Sequence, residues 1–365
     1  MAAQNQALDG VPMDAATALL DERGGGASAL AIACFAVCIA FTTFVVAVTY
    51  FGSSADGSPS VTLRINSLTL TASGPMPSSP YLAPRSVTGN LVSDPALIED
   101  TPEGPLPVIA PDGRTAMAAY AMPFDRNDKR PKIAIVVGGL GVSDSATDAA
   151  LAALPPQVTL AFAPFAKNPQ AAVDKARGIG HEVLLQVPME PFDFPDSDPG
   201  PHALLVAASA DENVRRLDWA MSRFTGYVGV SNLLGARFLG EAGAIEPVLG
   251  EASKRGLMFF DTGASARSLA ATAARHANAT MATGTVTLDE VQTPNAIDAK
   301  LVALEKQAKQ DGSAIGVGSL YPVTVARIDE WMAGVSQRGF LIVPLTALAA
   351  KPGPAEPAPA EKKRR

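Results

Sequence analysis

The chain has 365 residues, a formal net charge of −7, and 47% hydrophobic against 18% charged residues. That length suits two or three average domains, or one α/β barrel with appendages, and the acidic balance excludes a nucleic-acid surface, which needs clustered Lys and Arg. Both cysteines, Cys34 and Cys38, lie in one hydrophobic segment, which excludes a disulfide framework or a cysteine-based zinc site anywhere else.

That segment, residues 27–51, carries no charge and is rich in Ala, Val, Ile and Phe. At about 1.5 Å per helical residue it outreaches the roughly 30 Å hydrocarbon core, so one transmembrane helix is expected. Residues 1–26 contain Asp9, Asp14, Asp21 and Glu22, with Arg23 as their one base. A cleaved signal peptide would start positively and carry an apolar run of about 7 to 15 residues, so the expectation is an uncleaved anchor. Arg23 adjoins the anchor, while the first base beyond it is Arg64. The positive-inside rule then leaves 1–26 in the cytoplasm, a single pass through the inner membrane, and the rest in the periplasm. Cys34 and Cys38 share a helix face as small apolar fillers.

From 52 to 130 the composition turns to Pro, Ser, Gly, Thr and Ala. Such a stretch buries too little apolar surface to offset its chain entropy, and reads as a flexible linker. Within it, 61–71 alternates apolar and polar residues as a strand would, docked on the domain edge or on a membrane-protein partner. The tail, 351–365, is Pro- and Ala-rich with a basic end, and reads as disordered and solvated.

Residues 131–350 alternate short apolar runs with helical patterns. Ile133 to Val137 form an apolar run between Pro131 and the pair Gly138 and Gly139, a strand covered on both faces, and Ser143-Asp144 suits a helix start. Further strands are expected at 158–163, 182–186, 227–230, 257–260, 280–283, 314–317 and 340–343. Helices are expected at 145–154, 171–179, 210–224, 243–255, 294–310 and 323–338, with Gly178, Gly256, Gly312 and Gly339 as C-caps. The alternation predicts an α/β fold with a parallel sheet of about seven to eight strands, closed as a distorted (β/α) barrel or left open. Functional groups of such a fold gather at the C-terminal strand ends.

The motifs at those ends run LQVPMEP (185–191), GVSNLLGARF (229–238), FFDTGASAR (259–267), VTLD (286–289) and IGVGSLYP (315–322). Their order and spacing resemble the divergent polysaccharide deacetylase family, membrane-anchored bacterial relatives of chitin deacetylases with a NodB-like barrel. The resemblance covers about 132–348. It implies aspartates at the end of the first strand, and histidines at the positions of Gln186, Leu233 and Ser319. In the wider group an Asp and two His hold a divalent metal that activates water against an N-acetyl carbonyl. Here Gly138, Gly139, Gln186, Leu233 and Ser319 stand instead. Retained are Met189, Glu190, Pro191, Asn232, Gly235, Arg237, Phe238, Asp261, Ser268, Asp289, Tyr321 and Pro322.

The residues support the same expectation without the family. Metal sites want several His, Cys or carboxylate ligands, and the three histidines, His181, His202 and His276, are scattered along the sequence. No metal and no other cofactor is therefore expected. Asp193, Asp196 and Asp198 suggest calcium, but prolines interrupt them and no distal glutamate follows, so a solvated turn is the reading. A dinucleotide fingerprint begun at Gly139 meets Asp144 where its third glycine belongs, so no nucleotide partner is expected. Ser319 as a nucleophile lacks a histidine base. Glu190 and Asp261 either form a carboxyl pair of glycosidase type or brace the strand-end loops with Arg237.

The resulting expectation is a catalytically degenerate, deacetylase-like pseudoenzyme of the envelope, acting in carbohydrate metabolism as a glycan-binding or scaffold module. Its partner would be peptidoglycan, a related envelope polysaccharide, or a membrane protein. Glu190, Asn232, Arg237, Asp261, Asp289 and Tyr321 are the ligand-binding candidates. The alternative is an active carbohydrate hydrolase with atypical site residues.

Overall fold

The computed structural model describes residues 93–353. The expected cytoplasmic segment 1–26, anchor 27–51, strand 61–71 and all of the tail beyond 353 lie outside the described residues. Among the described residues no helix is long and apolar enough to cross a membrane.

The linker expected over 52–130 needs correction, because residues 93–130 are folded against the rest. Asp94 caps a 3-10 turn, Pro95–Leu97, its Oδ1 accepting from the Ala96 N–H at 2.9 Å. An antiparallel hairpin follows, β1 (Ile98–Thr101) and β2 (Gly104–Pro107), then a short helix α1 (Ala116–Tyr120) capped by Thr115. Leu97, Leu106, Ala116 and Tyr120 are buried in the main core. Composition concealed this because a few widely spaced apolar residues dock on a core that the rest of the chain supplies. Prolines are also tolerated in such a hairpin, whose edges are not paired on both sides.

The main sheet comprises β3 (Lys132–Leu140), β4 (Thr159–Phe162), β5 (Val183–Met189), β6 (Gly229–Leu234), β7 (Met258–Asp261), β8 (Met281–Thr283), β9 (Val286–Thr287), β10 (Ser313–Ser319) and β11 (Leu341–Ile342). Between the strands run α2 (Asp144–Ala153), α3 (Pro169–Ile179), α4 (Ala210–Met221), α5 (Ala242–Lys254), α6 (Ala270–His276), α7 (Pro294–Asp311) and α8 (Pro322–Val335). Every pairing in this sheet is parallel, in the order β8-β7-β6-β5-β4-β3-β10-β9, with β11 on the first residues of β3. Strand, helix, strand repeats leave no other arrangement open, since each crossover returns the chain to the same end. β8 and β9, at the two ends of this path, are nearly contiguous in sequence, so 281–287 pairs with β7 first and with β10 next. The result is a curved α/β half-barrel whose two ends converge on one segment, not a ring of equal strands.

Strand interiors are buried throughout, as β5 and β7 illustrate residue by residue, which is why they read as apolar runs without alternation. Helix ends follow local chemistry: Ser143 and Ser209 accept from the backbone N–H groups of Ala146 and Glu212, while Gly312 takes the left-handed turn after α7. The cap expected at Gly178 falls instead on Gly180, with Gly178 inside α3.

At the N-terminal end of β5, Glu182 is buried and gathers three segments. Its carboxylate accepts from the Met122 N–H at 3.0 Å, the Thr346 N–H at 3.1 Å and the Thr346 hydroxyl, and more weakly from Thr159 Oγ1 at 3.5 Å. Burial pushes its pKa up, and these donors act in the opposite direction. Beside it, His181 bonds the Val158 carbonyl through Nδ1 at 2.8 Å, and burial lowers its pKa. This histidine lies at the end of the sheet away from the crevice.

Candidate functional site

The strands of the main sheet all point the same way, so the loops after β3, β5, β6, β7, β9 and β10 surround one mouth. β3 ends in a bulge, its pairing with β4 shifting register between Gly138 and Leu140. Gly139 takes φ +89°, which a residue with a side chain rarely adopts. Its N–H donates to Gln186 Oε1 at 2.7 Å. The Gly138 carbonyl accepts from Leu320 N at 2.9 Å, and Gly138 sits in register with Ser319 of β10. Next to Gln186 on β6, Ser231 is buried, and its Oγ has no hydrogen-bond partner among the described residues.

The carboxylates expected to face a ligand are turned to other work. Glu190 is buried and accepts from the Val206 N–H at 2.6 Å through Oε2 and from Arg237 at 2.6 Å through Oε1. Asp261 accepts from the Gly263 N–H at 2.9 Å and from the Ser268 hydroxyl at 2.6 Å. Asp289 accepts from the Ser319 N–H at 2.6 Å and from Thr324 Oγ1 at 3.0 Å. Asn232 donates to the Leu234 carbonyl at 2.7 Å and Thr262 Oγ1 at 2.9 Å, and receives the Thr262 N–H at 2.9 Å. Each of the four is a buried polar group whose partners hold the start of a loop.

Glu190, Asn232, Asp261 and Asp289 thus brace the strand-end loops. Both oxygens of Glu190 and of Asp261 accept hydrogen bonds within the fold. Arg237 and Tyr321 keep exposed side chains at the mouth, Arg237 at 46% against 6% for its partner Glu190. Glu190→Ala is expected to lower stability by about 1–3 kcal/mol, since it strands the Val206 N–H and an Arg237 contact. Denaturant unfolding measures this, and an unchanged midpoint would refute the bracing role.

The residues present do not fit the divalent metal that the resemblance implies. Among the described residues no three His, Cys, Asp or Glu side chains converge, and the positions concerned offer two glycines, an amide, an aliphatic side chain and a hydroxyl, a poor donor set for a transition metal. His202 instead stacks on Trp219 with ring centroids 3.9 Å apart, and His276 bonds Glu246 at 2.8 Å on the surface. In the acidic loop, Asp193 and Asp198 accept bonds from Ser197 and Gly200, as a turn requires.

The sequence profile of the divergent polysaccharide deacetylases matches residues 135–349. The chain belongs to the divergent polysaccharide deacetylase family. An uncharacterized protein of Agrobacterium tumefaciens C58, known as a crystal structure, is 43% identical, with TM-score 0.66 over 67% of this chain and 99% of that one. The uncharacterized protein YibQ of Escherichia coli K12 is 26% identical over 53% of this chain and 60% of its own length. An uncharacterized protein of Haemophilus influenzae is 24% identical over 53% of this chain and 69% of its own. The match thus spans less than two thirds of the Escherichia coli relative.

Within this member of the family, sequence reasoning missed the apolar character of the mouth. Val142, Phe192, Leu234, Val291 and Tyr321 are exposed, and each lies at or just after the end of a different strand, β3, β5, β6, β9 and β10. The other large apolar side chains exposed among the described residues, Ile109, Ile179 and Val302, lie elsewhere. No spacing rule marks such residues, because exposure of a loop residue depends on how the loop is braced. Thr262, the partner of Asn232, also escaped notice.

Proposed function

We propose that this family member is a membrane-anchored, non-catalytic protein of the periplasmic face of the inner membrane, which holds an envelope glycan at the mouth of its half-barrel. One observation carries the reading: around the same mouth the polar strand-end side chains are consumed as braces, while apolar and aromatic side chains on five loops face outward. Single exposed apolar residues are ordinary, but a group of them around one mouth marks an interaction surface. Sugar rings present C–H faces that stack on aromatic side chains, which Phe192 and Tyr321 supply. Anchoring rests on the uncharged segment 27–51.

A second reading has the same rim covered by another envelope protein, and the aliphatic members Val142, Leu234 and Val291 favour it. An active hydrolase with atypical residues is a third. Retention of the full-length chain on peptidoglycan, in detergent, separates them. Phe192→Ala and Tyr321→Ala are each expected to weaken retention tenfold or more, about 1.4 kcal/mol, without lowering the melting temperature. Unchanged retention of both variants, or none by the wild type, overturns the glycan reading and leaves the protein partner. Release of acetate from the polysaccharide would instead establish the hydrolase.

A further inference from the structure

We propose that Gln186 is a neutral plug in the barrel mouth, and that Gly138 is glycine because the Gln186 carboxamide occupies the space of its side chain. A Cβ built at Gly138 would lie 2.8 Å from Gln186 Nε2 and 3.4 Å from its Cδ. Real Cβ atoms essentially never lie at the shorter distance, so any side chain at 138 requires the amide to shift. The amide is held where it is. Its Oε1 receives the Gly139 N–H, a donor that the bulge removes from the strand ladder and that would otherwise be orphaned. That bond also decides the orientation of the carboxamide: only an oxygen accepts from an N–H, so Nε2 is the atom over Gly138.

Gln186 thereby joins strand ends that are not neighbours in the sheet. It rises from β5, closes the bulge of β3 and lies over Gly138, whose register partner is Ser319 of β10. These are three of the positions where the family resemblance calls for an acid or a histidine. The replacements at 138 and 186 are therefore coupled rather than independent losses. A carboxylate at 138 would collide with the amide, whereas one at 139 would meet a left-handed backbone. Gln186 is on this account a positioning residue for the mouth, setting the shape of β3 where it turns into the loop carrying Val142. The inference does not depend on glycan binding, since the coupling exists whatever the mouth holds.

The test is a double-mutant cycle on the full-length chain in detergent, read as thermal midpoint. Gly138→Ala alone is expected to lower the midpoint by roughly 5 °C, given the few degrees per kcal/mol usual for a domain of this size. Gln186→Ser alone is also expected to lower it, through the orphaned Gly139 N–H. In the Gln186→Ser background the further loss on Gly138→Ala should shrink to about a quarter or less, because the collision is gone. Equal loss in both backgrounds would mean that Gly138 serves the bulge for a reason unconnected with Gln186, and would overturn the proposal. If Gly138→Ala alone yields no folded protein, recovery on adding Gln186→Ser supports the coupling, and continued failure overturns it.

Discussion

A chain starting at Pro131 is expected to lose cooperative unfolding, whereas one starting at Ser93 should keep it. The missing segment 93–130 carries Leu97, Leu106 and Tyr120, all buried in the main core. At about 1.5–3 kcal/mol for each large apolar side chain, their loss approaches roughly 5–9 kcal/mol, against a net stability of about 5–15 kcal/mol for an ordinary domain. Polar ties go with them. The Tyr120 ring lies 4.2 Å from the Arg177 guanidinium. Arg255 donates to the Pro107 carbonyl at 3.2 Å, and Arg130 to the Phe340 carbonyl at 3.2 Å. Circular dichroism through a denaturant titration measures the difference. A sharp, unshifted transition for the shorter chain would show that the hairpin and α1 are ornaments on an independent core.

Among single substitutions, Glu182→Ala is expected to be among the most damaging, lowering stability by about 3–5 kcal/mol. It removes a buried acceptor for two part-buried backbone N–H groups, of Met122 and Thr346, and for the Thr346 hydroxyl. Stranded buried donors cost about 1–3 kcal/mol each. These donors sit on the segment leading into β3 and on the turn after β11, so one carboxylate joins the beginning and the end of the domain to β5. Glu182→Gln should cost less, because the amide oxygen still accepts while its NH2 faces donors. The urea midpoints of the two variants give the comparison. If Glu182→Ala were as stable as the wild type, the carboxylate would be a tolerated burden instead of a tie.

The apolar runs and the helix caps made the repeating α/β order legible in the sequence of this protein, and parallel topology followed because crossovers bring every strand back in one direction. The linked motifs made the family legible too, since five short patterns in fixed order constrain a fold more tightly than any one of them. Three things only the tertiary structure decided. Residues 93–130 belong to the domain because scattered residues such as Leu97 and Tyr120 find a surface that no local window contains. Glu190, Asn232, Asp261 and Asp289 are braces because partners up to 47 residues away, as Arg237 is from Glu190, come within hydrogen-bond distance. Gln186 and Gly138 fit each other because a side chain from β5 fills the space beside β3, across the strand that separates them. Periodicity records which face of an element is buried; it holds no record of what lies opposite, and that is where the character of this mouth was set.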